Sequence, residues 1–98
     1  MRYSIRVIEG DNKGEEYAIG IGDWIIGRSK NANIVLASSK VSAEHGAFFL
    51  KKSELFLRDL NSRNGIFVNG KKIIETKLSH GDAIVIGDFV FIVVQGVS

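Results

Sequence analysis

Gly65-Ile66-Phe67-Val68-Asn69-Gly70-Lys71-Lys72-Ile73-Ile74 decides the fold, because it fits two incompatible readings. The spacing of Gly65, Gly70 and Lys71 is that of a phosphate-binding Walker A loop, which would make the chain a nucleotide-binding α/β protein. That loop needs a Ser or Thr directly after its lysine to hold magnesium, and a following helix whose first amides face the phosphates. Here the next residue is Lys72 and no helix pattern follows. In the second reading two apolar, β-branched runs flank Asn69-Gly70, a pair that tolerates the positive φ angles of a tight hairpin turn. The segment is therefore a β-hairpin, and the chain is read as all-β.

The same grammar recurs outward in both directions. Turn-forming residues cluster at 10–14, 20–23, 29–33, 51–53, 61–65, 79–82 and 87–88. Between them lie short apolar or alternating runs at 3–8, 24–26, 34–36, 46–50, 55–58, 66–68, 73–74, 83–86 and 89–94. No run sustains the i, i+3, i+4, i+7 pattern of an amphipathic helix. Ile and Val together number 22 against 12 for Leu and Ala, and β-branched side chains favour strands over helices. The expected architecture is an antiparallel β-sandwich in which strand residues build the core and loops at one end carry function.

At 98 residues the chain is expected to form one domain over 1–98. It has no cysteine, which excludes disulfides, thiolate metal sites and a cysteine nucleophile and fits a reducing, cytoplasmic setting. Two histidines make a poor metal site, so neither metal nor cofactor is expected. The first ten residues hold no uninterrupted apolar stretch, and no run approaches the length of a membrane-spanning helix. A soluble protein without a membrane partner follows.

Net charge is +2, yet residues 27–72 hold nine Lys/Arg against three Asp/Glu. This basic middle suggests an anionic partner. Within it, Arg28 follows Trp24-Ile25-Ile26-Gly27, so a guanidinium sits where an apolar strand leaves the core. Such a planar fork of donors suits carboxylate or phosphate, and Gly27 leaves room for close backbone approach. Ser42 adds a hydroxyl, and Asn61-Ser62-Arg63-Asn64-Gly65 adds amides, a hydroxyl and a second guanidinium. Hydroxyl, amide and guanidinium groups from separate loops are the donors a tetrahedral dianion requires. Ser42, His45 and Asp59 also contain the residue types of a hydrolase triad, but no nucleophile elbow surrounds Ser42. His45 is therefore read as a histidine that ties loops together, and no enzyme is expected.

Taken in order, Ile26-Gly27-Arg28-Ser29, Asn33-Ile34-Val35-Leu36, Val41-Ser42-Ala43-Glu44-His45, Leu57-Arg58-Asp59-Leu60-Asn61-Ser62-Arg63-Asn64-Gly65, Phe67-Val68-Asn69-Gly70 and Gly81-Asp82-Ala83-Ile84-Val85-Ile86-Gly87 carry a resemblance. The chain is similar, over nearly its whole length, to forkhead-associated (FHA) domains, the phosphothreonine-binding β-sandwich family. The resemblance implies about eleven short strands, with loops at one end that bind a phosphothreonine peptide in extended form. Arg28 and Ser42 match the family's phosphate ligands, and Asn64 matches the asparagine that bonds the peptide backbone. Lys40 matches a position that selects the residue three after the phosphothreonine in some members. Gly27, His45, Ser62, Gly65 and Asn69 match positions that shape the site, Asn69 by holding a loop.

Three positions depart from the family pattern. Arg63 stands where many members have a Ser or Thr that also touches phosphate, Ala43 where some have a larger polar residue, and Ile66 where Thr is common. The chain is expected to be a monomer, the resemblance implies a non-catalytic module whose partner is a phosphothreonine-containing protein, and such domains commonly lie beside others in longer chains. Two alternatives are weighed against it. One is an FHA-fold interaction domain with a phosphate-independent partner. The other binds nucleic acid through Lys40, Lys51, Lys52, Lys71 and Lys72, with Phe48, Phe49 and Phe67 as stacking platforms. The second is disfavoured, because adjacent Phe48 and Phe49 must face opposite sides of a strand.

Overall fold

The computed structural model describes residues 2–96 and consists of eleven strands in two sheets. In chain order these are β1 (Arg2–Glu9), β2 (Glu16–Ile19), β3 (Trp24–Gly27), β4 (Ile34–Val35), β5 (Gly46–Lys51) and β6 (Glu54–Asp59). They continue as β7 (Ile66–Val68), β8 (Lys71–Ile73), β9 (Glu75–Leu78), β10 (Ala83–Ile86) and β11 (Phe89–Gly96). One sheet has the order β2-β1-β11-β10-β7-β8 and the other β4-β3-β5-β6-β9. Among the described residues no helix is long and apolar enough to cross a membrane.

The hairpin reading of the deciding stretch holds. β7 and β8 pair antiparallel, Ile66 opposite Ile73 and Val68 opposite Lys71, around Asn69 at φ 51° and Gly70 at φ 84°. Both turn residues thus have the positive φ that the Asn-Gly pair supplies cheaply. The long strands β1 and β11 pair along nearly their whole length and turn alternate residues inward: Tyr3, Ile5 and Val7 from one, Phe89, Phe91 and Val93 from the other. Facing them from the second sheet are Ile26, Phe48, Leu55 and Leu57, all fully buried. Phe48 is thus core. Phe49 instead stacks on Phe56 on the outer face, centroids 5.4 Å apart, with the Arg58 guanidinium 5.1 Å above it.

Three features differ from the sequence expectation. β2 and β9 are strands that the sequence reading did not place, and Ile74, expected in a strand, lies between β8 and β9 at 83% exposure. Both unexpected strands are four-residue sheet edges with one buried residue each, Ile19 and Leu78, too short for alternation to stand out in the sequence. Also, β3 and β4 run parallel, Ile26 beside Ile34 and Gly27 beside Val35, in an otherwise antiparallel sandwich.

The registers gather the loops. Ile26 lies opposite Gly46, and Gly46 opposite Asp59, so β3 ends, β5 begins and β6 ends at one end of the second sheet. The segments 28–33, 36–45 and 60–65 therefore leave or arrive at a common end.

Candidate functional site

The site is built from the close approach of residues 41–43 to the end of β3. A Cβ on Gly27 would run into the Ala43 carbonyl oxygen and stand 2.9 Å from that of Ser42, so only glycine fits. Across this contact the Arg28 amide donates to the Ser42 carbonyl at 3.0 Å and the Ser29 amide to that of Ala43 at 3.1 Å. The Arg28 side chain is exposed and is steadied by one bond, Nη1 donating to the Val41 carbonyl at 2.7 Å. Its remaining N–H groups are available to a ligand.

His45 holds two loops together and is fully buried. Its Nδ1 accepts the Ser42 amide at 3.0 Å, and its Nε2 lies 2.7 Å from the Gly65 carbonyl. Because Nδ1 faces an N–H, the ring proton sits on Nε2, which donates to that carbonyl; this is one defined neutral tautomer. The backbone of His45 is equally engaged, its amide donating to Ile26 and its carbonyl accepting from Leu60.

The third loop is shaped by its own side chains. Ser62 donates its amide to Asp59 Oδ1 at 2.8 Å, and Ser62 Oγ accepts the Gly65 amide at 3.0 Å. Gly65 has φ 84°, a left-handed conformation that disfavours a side chain. Two bonds then join this loop to the 36–45 segment: the Arg63 amide donates to Ser42 Oγ at 3.0 Å, and Asn64 Nδ2 donates to the Lys40 carbonyl at 2.8 Å.

A depression of about 190 Å³ lies between these loops, lined by Arg28, Ser39, Lys40, Val41, Ser42, Ala43, Arg63 and Asn64. The five expected binding residues, Arg28, Lys40, Ser42, Arg63 and Asn64, thus meet around one hollow. Gly27, His45, Ser62 and Gly65 stand behind it, while Asn69 does not reach it. Asn69 closes the β7–β8 turn and ties it to the start of β10, Oδ1 accepting the Ala83 amide and Nδ2 donating to Asp82, each at 3.0 Å.

The hollow is rich in donors. Arg28, Lys40 and Arg63 have no carboxylate partner among the described residues, whose ion pairs, Arg6–Glu16, Arg58–Glu75 and Lys77–Glu54, sit elsewhere. Ser42 Oγ accepts from Arg63, which leaves its hydroxyl proton for an outside acceptor. No carboxylate lines the depression. An anion offering several acceptor oxygens complements this set. The triad residues, in contrast, are not linked as a relay. The His45 ring meets the amide of Ser42 and not its hydroxyl, and Asp59 accepts from Ser62.

Sequence reasoning missed Ser39 and Val41 as lining residues, and it missed the brace behind them. Ser38 Oγ donates to Asp88 Oδ1 at 2.9 Å, anchoring the 36–45 segment to the β10–β11 turn. Asn33 Oδ1 likewise accepts the Ile25 amide at 2.8 Å and folds the 28–33 loop back on β3. Neither pairing has a local signal in the sequence.

The FHA domain family matches residues 24–87 of this chain. The FHA domain-containing protein FhaA of Mycobacterium tuberculosis is 36% identical over 77 residues, a match covering 79% of this chain; the chain spans 15% of the length of that relative. A solved structure from a structural and functional analysis of phosphothreonine-dependent FHA domain interactions is 31% identical and covers 100% of both chains, with a TM-score of 0.91. The FhaA FHA domain, solved in complex with the intracellular domain of another protein, is 33% identical with a TM-score of 0.85, over 93% of this chain and 98% of that one.

Proposed function

The chain belongs to the FHA domain family, and from that premise we propose that it is a non-catalytic recognition module that binds phosphothreonine-containing proteins through its apical loops. Arg28 and Ser42 ligate the phosphate, the first through charge-assisted bonds from its free N–H groups and the second through its hydroxyl proton. Asn64, held by the Lys40 carbonyl through Nδ2, presents Oδ1 to the backbone of an extended peptide. Lys40 and Arg63 flank the phosphate and attract acidic residues beside it. The observation that carries this reading is the meeting of three cations without carboxylate partners and a serine hydroxyl around one depression.

The deciding experiment is calorimetric titration with a degenerate phosphothreonine peptide library beside its unphosphorylated twin. Binding is expected for the phosphorylated set alone. Equal affinity of the two sets would replace this reading with that of a phosphate-independent interaction domain.

Lys40 and Arg63 give a second, smaller prediction. Both are exposed, so each should add roughly 0.2 to 1 kcal/mol toward peptides with Asp after the phosphothreonine. At about 0.15 M salt the screening length is about 8 Å, so this preference should fade as salt rises while the close Arg28 contact persists better. Affinities of Lys40→Ala and Arg63→Ala for Asp and Ala peptides check it, and an unchanged Asp preference in both variants removes these two residues from the site.

A further inference from the structure

Ser39 stands at the tip of a tight turn in the 36–45 segment. The Val41 amide donates to the Ser38 carbonyl at 3.1 Å, and Ser38 Oγ accepts the Lys40 amide at 3.2 Å while donating to Asp88, so the turn is fixed at its base. The other serines of the site loops are half-buried and engaged. Ser29 Oγ accepts the Asn31 amide, Ser42 Oγ that of Arg63 and Ser62 Oγ that of Gly65, and Ser38 holds the brace. Ser39 differs on both counts: it is exposed, and its hydroxyl bonds nothing among the described residues. Its surroundings are basic. Ser39 lines the small depression together with Arg28, Lys40 and Arg63, and it also lines a second hollow, of about 650 Å³, into which Arg28 and Lys30 open. None of these four cations has a carboxylate partner among the described residues, and no carboxylate lines either hollow.

We propose that Ser39 is an inhibitory phosphorylation site, whose own phosphate takes the place of the partner's phosphothreonine among these cations. In the transfer a serine/threonine kinase passes the terminal phosphoryl group of ATP to Ser39. A P–O bond forms to Oγ, the bond to the ADP oxygen breaks, the hydroxyl proton goes to a base of the kinase, and ADP leaves. The modified side chain carries about −1.5 to −2 charge at neutral pH and three acceptor oxygens, which an arginine cluster holds by charge-assisted bonds. Because it is tethered, its effective concentration at the site is on the order of millimolar, without any diffusional encounter. A second dianion approaching the same hollow is then both displaced and repelled. The loss of partner binding rests on the phosphopeptide reading, whereas the seating of the Ser39 phosphate among the cations does not.

The test has three readouts on the full chain. Incubation with ATP and a broad-specificity serine/threonine kinase, followed by mass mapping, should label Ser39 ahead of Ser29, Ser38, Ser42 and Ser62; labelling that spares Ser39 overturns the site. Protein with phosphoserine genetically encoded at position 39 should bind a phosphothreonine peptide about tenfold or more weakly than the unmodified chain, as a tethered competitor allows, and phosphatase treatment should restore the affinity. Undiminished affinity overturns the inhibition. Phosphorus NMR of the encoded protein reads the seating directly: surrounding cations favour the dianion, so the Ser39 phosphate should lose its second proton at lower pH than phosphoserine in an unstructured peptide, and Arg28→Ala should move that titration back. A phosphate that titrates as in the free peptide overturns the seating even if binding falls. If the unmodified chain binds phosphorylated and unphosphorylated peptides alike, the phosphopeptide reading falls and the inhibition with it, while the phosphorus titration still decides the seating.

Discussion

Replacing Arg28 with alanine is expected to lower affinity for a phosphothreonine peptide by roughly 100-fold or more while leaving the fold nearly intact. Charge-assisted hydrogen bonds contribute about 1.5 to 3 kcal/mol each, and every 1.4 kcal/mol or so is tenfold in affinity, so loss of a bidentate pair reaches that figure. The structural cost is small. Arg28 is exposed, and its side chain makes a single bond within the domain, to the Val41 carbonyl. Losing one such bond costs about 1 kcal/mol, and in a domain of this size that moves Tm by roughly 4–8 °C. Titration calorimetry and thermal unfolding of the same sample read both quantities. Arg28→Lys should fall between, because it keeps the charge and loses the planar fork. Wild-type affinity in Arg28→Ala would remove this residue as the phosphate ligand, and a collapse of Tm would make it a structural residue.

For His45 the balance reverses: His45→Ala should cost a large part of the stability, and binding with it. The imidazole is fully buried and satisfies the Ser42 amide and the Gly65 carbonyl at once. Truncation leaves both without partners and opens a void beneath the loops. Unsatisfied buried groups cost about 1–3 kcal/mol each, so a loss on the order of 3–5 kcal/mol is expected, a large part of the 5–15 kcal/mol typical of a domain. Binding falls because the ring sets the spacing between Ser42 and the 62–65 loop, whose Arg63 amide bonds the Ser42 hydroxyl oxygen. Thermal unfolding of His45→Ala should show a Tm drop several times that of Arg28→Ala. An unchanged Tm would mean that the two loops hold their positions without the ring.

The amino-acid sequence by itself determined whatever depends on neighbouring residues. Asn69-Gly70 dictated a tight hairpin, because its two positive φ angles are cheap for those residue types alone. Alternation placed Ile5, Val7, Phe91 and Val93 inward, and the order of Gly27-Arg28, Ser42, His45 and Asn64-Gly65 named the loops that meet. Only the tertiary structure decided what joins distant segments. β2 and β9 exist because they pair with β1 and β6, although each is only four residues long and buries a single one. The parallel pairing of β3 with β4, the His45 bond across 20 positions to Gly65 and the Ser38–Asp88 brace across 50 are of the same kind. Propensity and periodicity act over a few residues, whereas a buried polar bond or an edge strand is selected by which partners the packed sheets bring within reach. The chemistry of the site could therefore be read in the chain, but its geometry arose only when the two sheets closed on their common core.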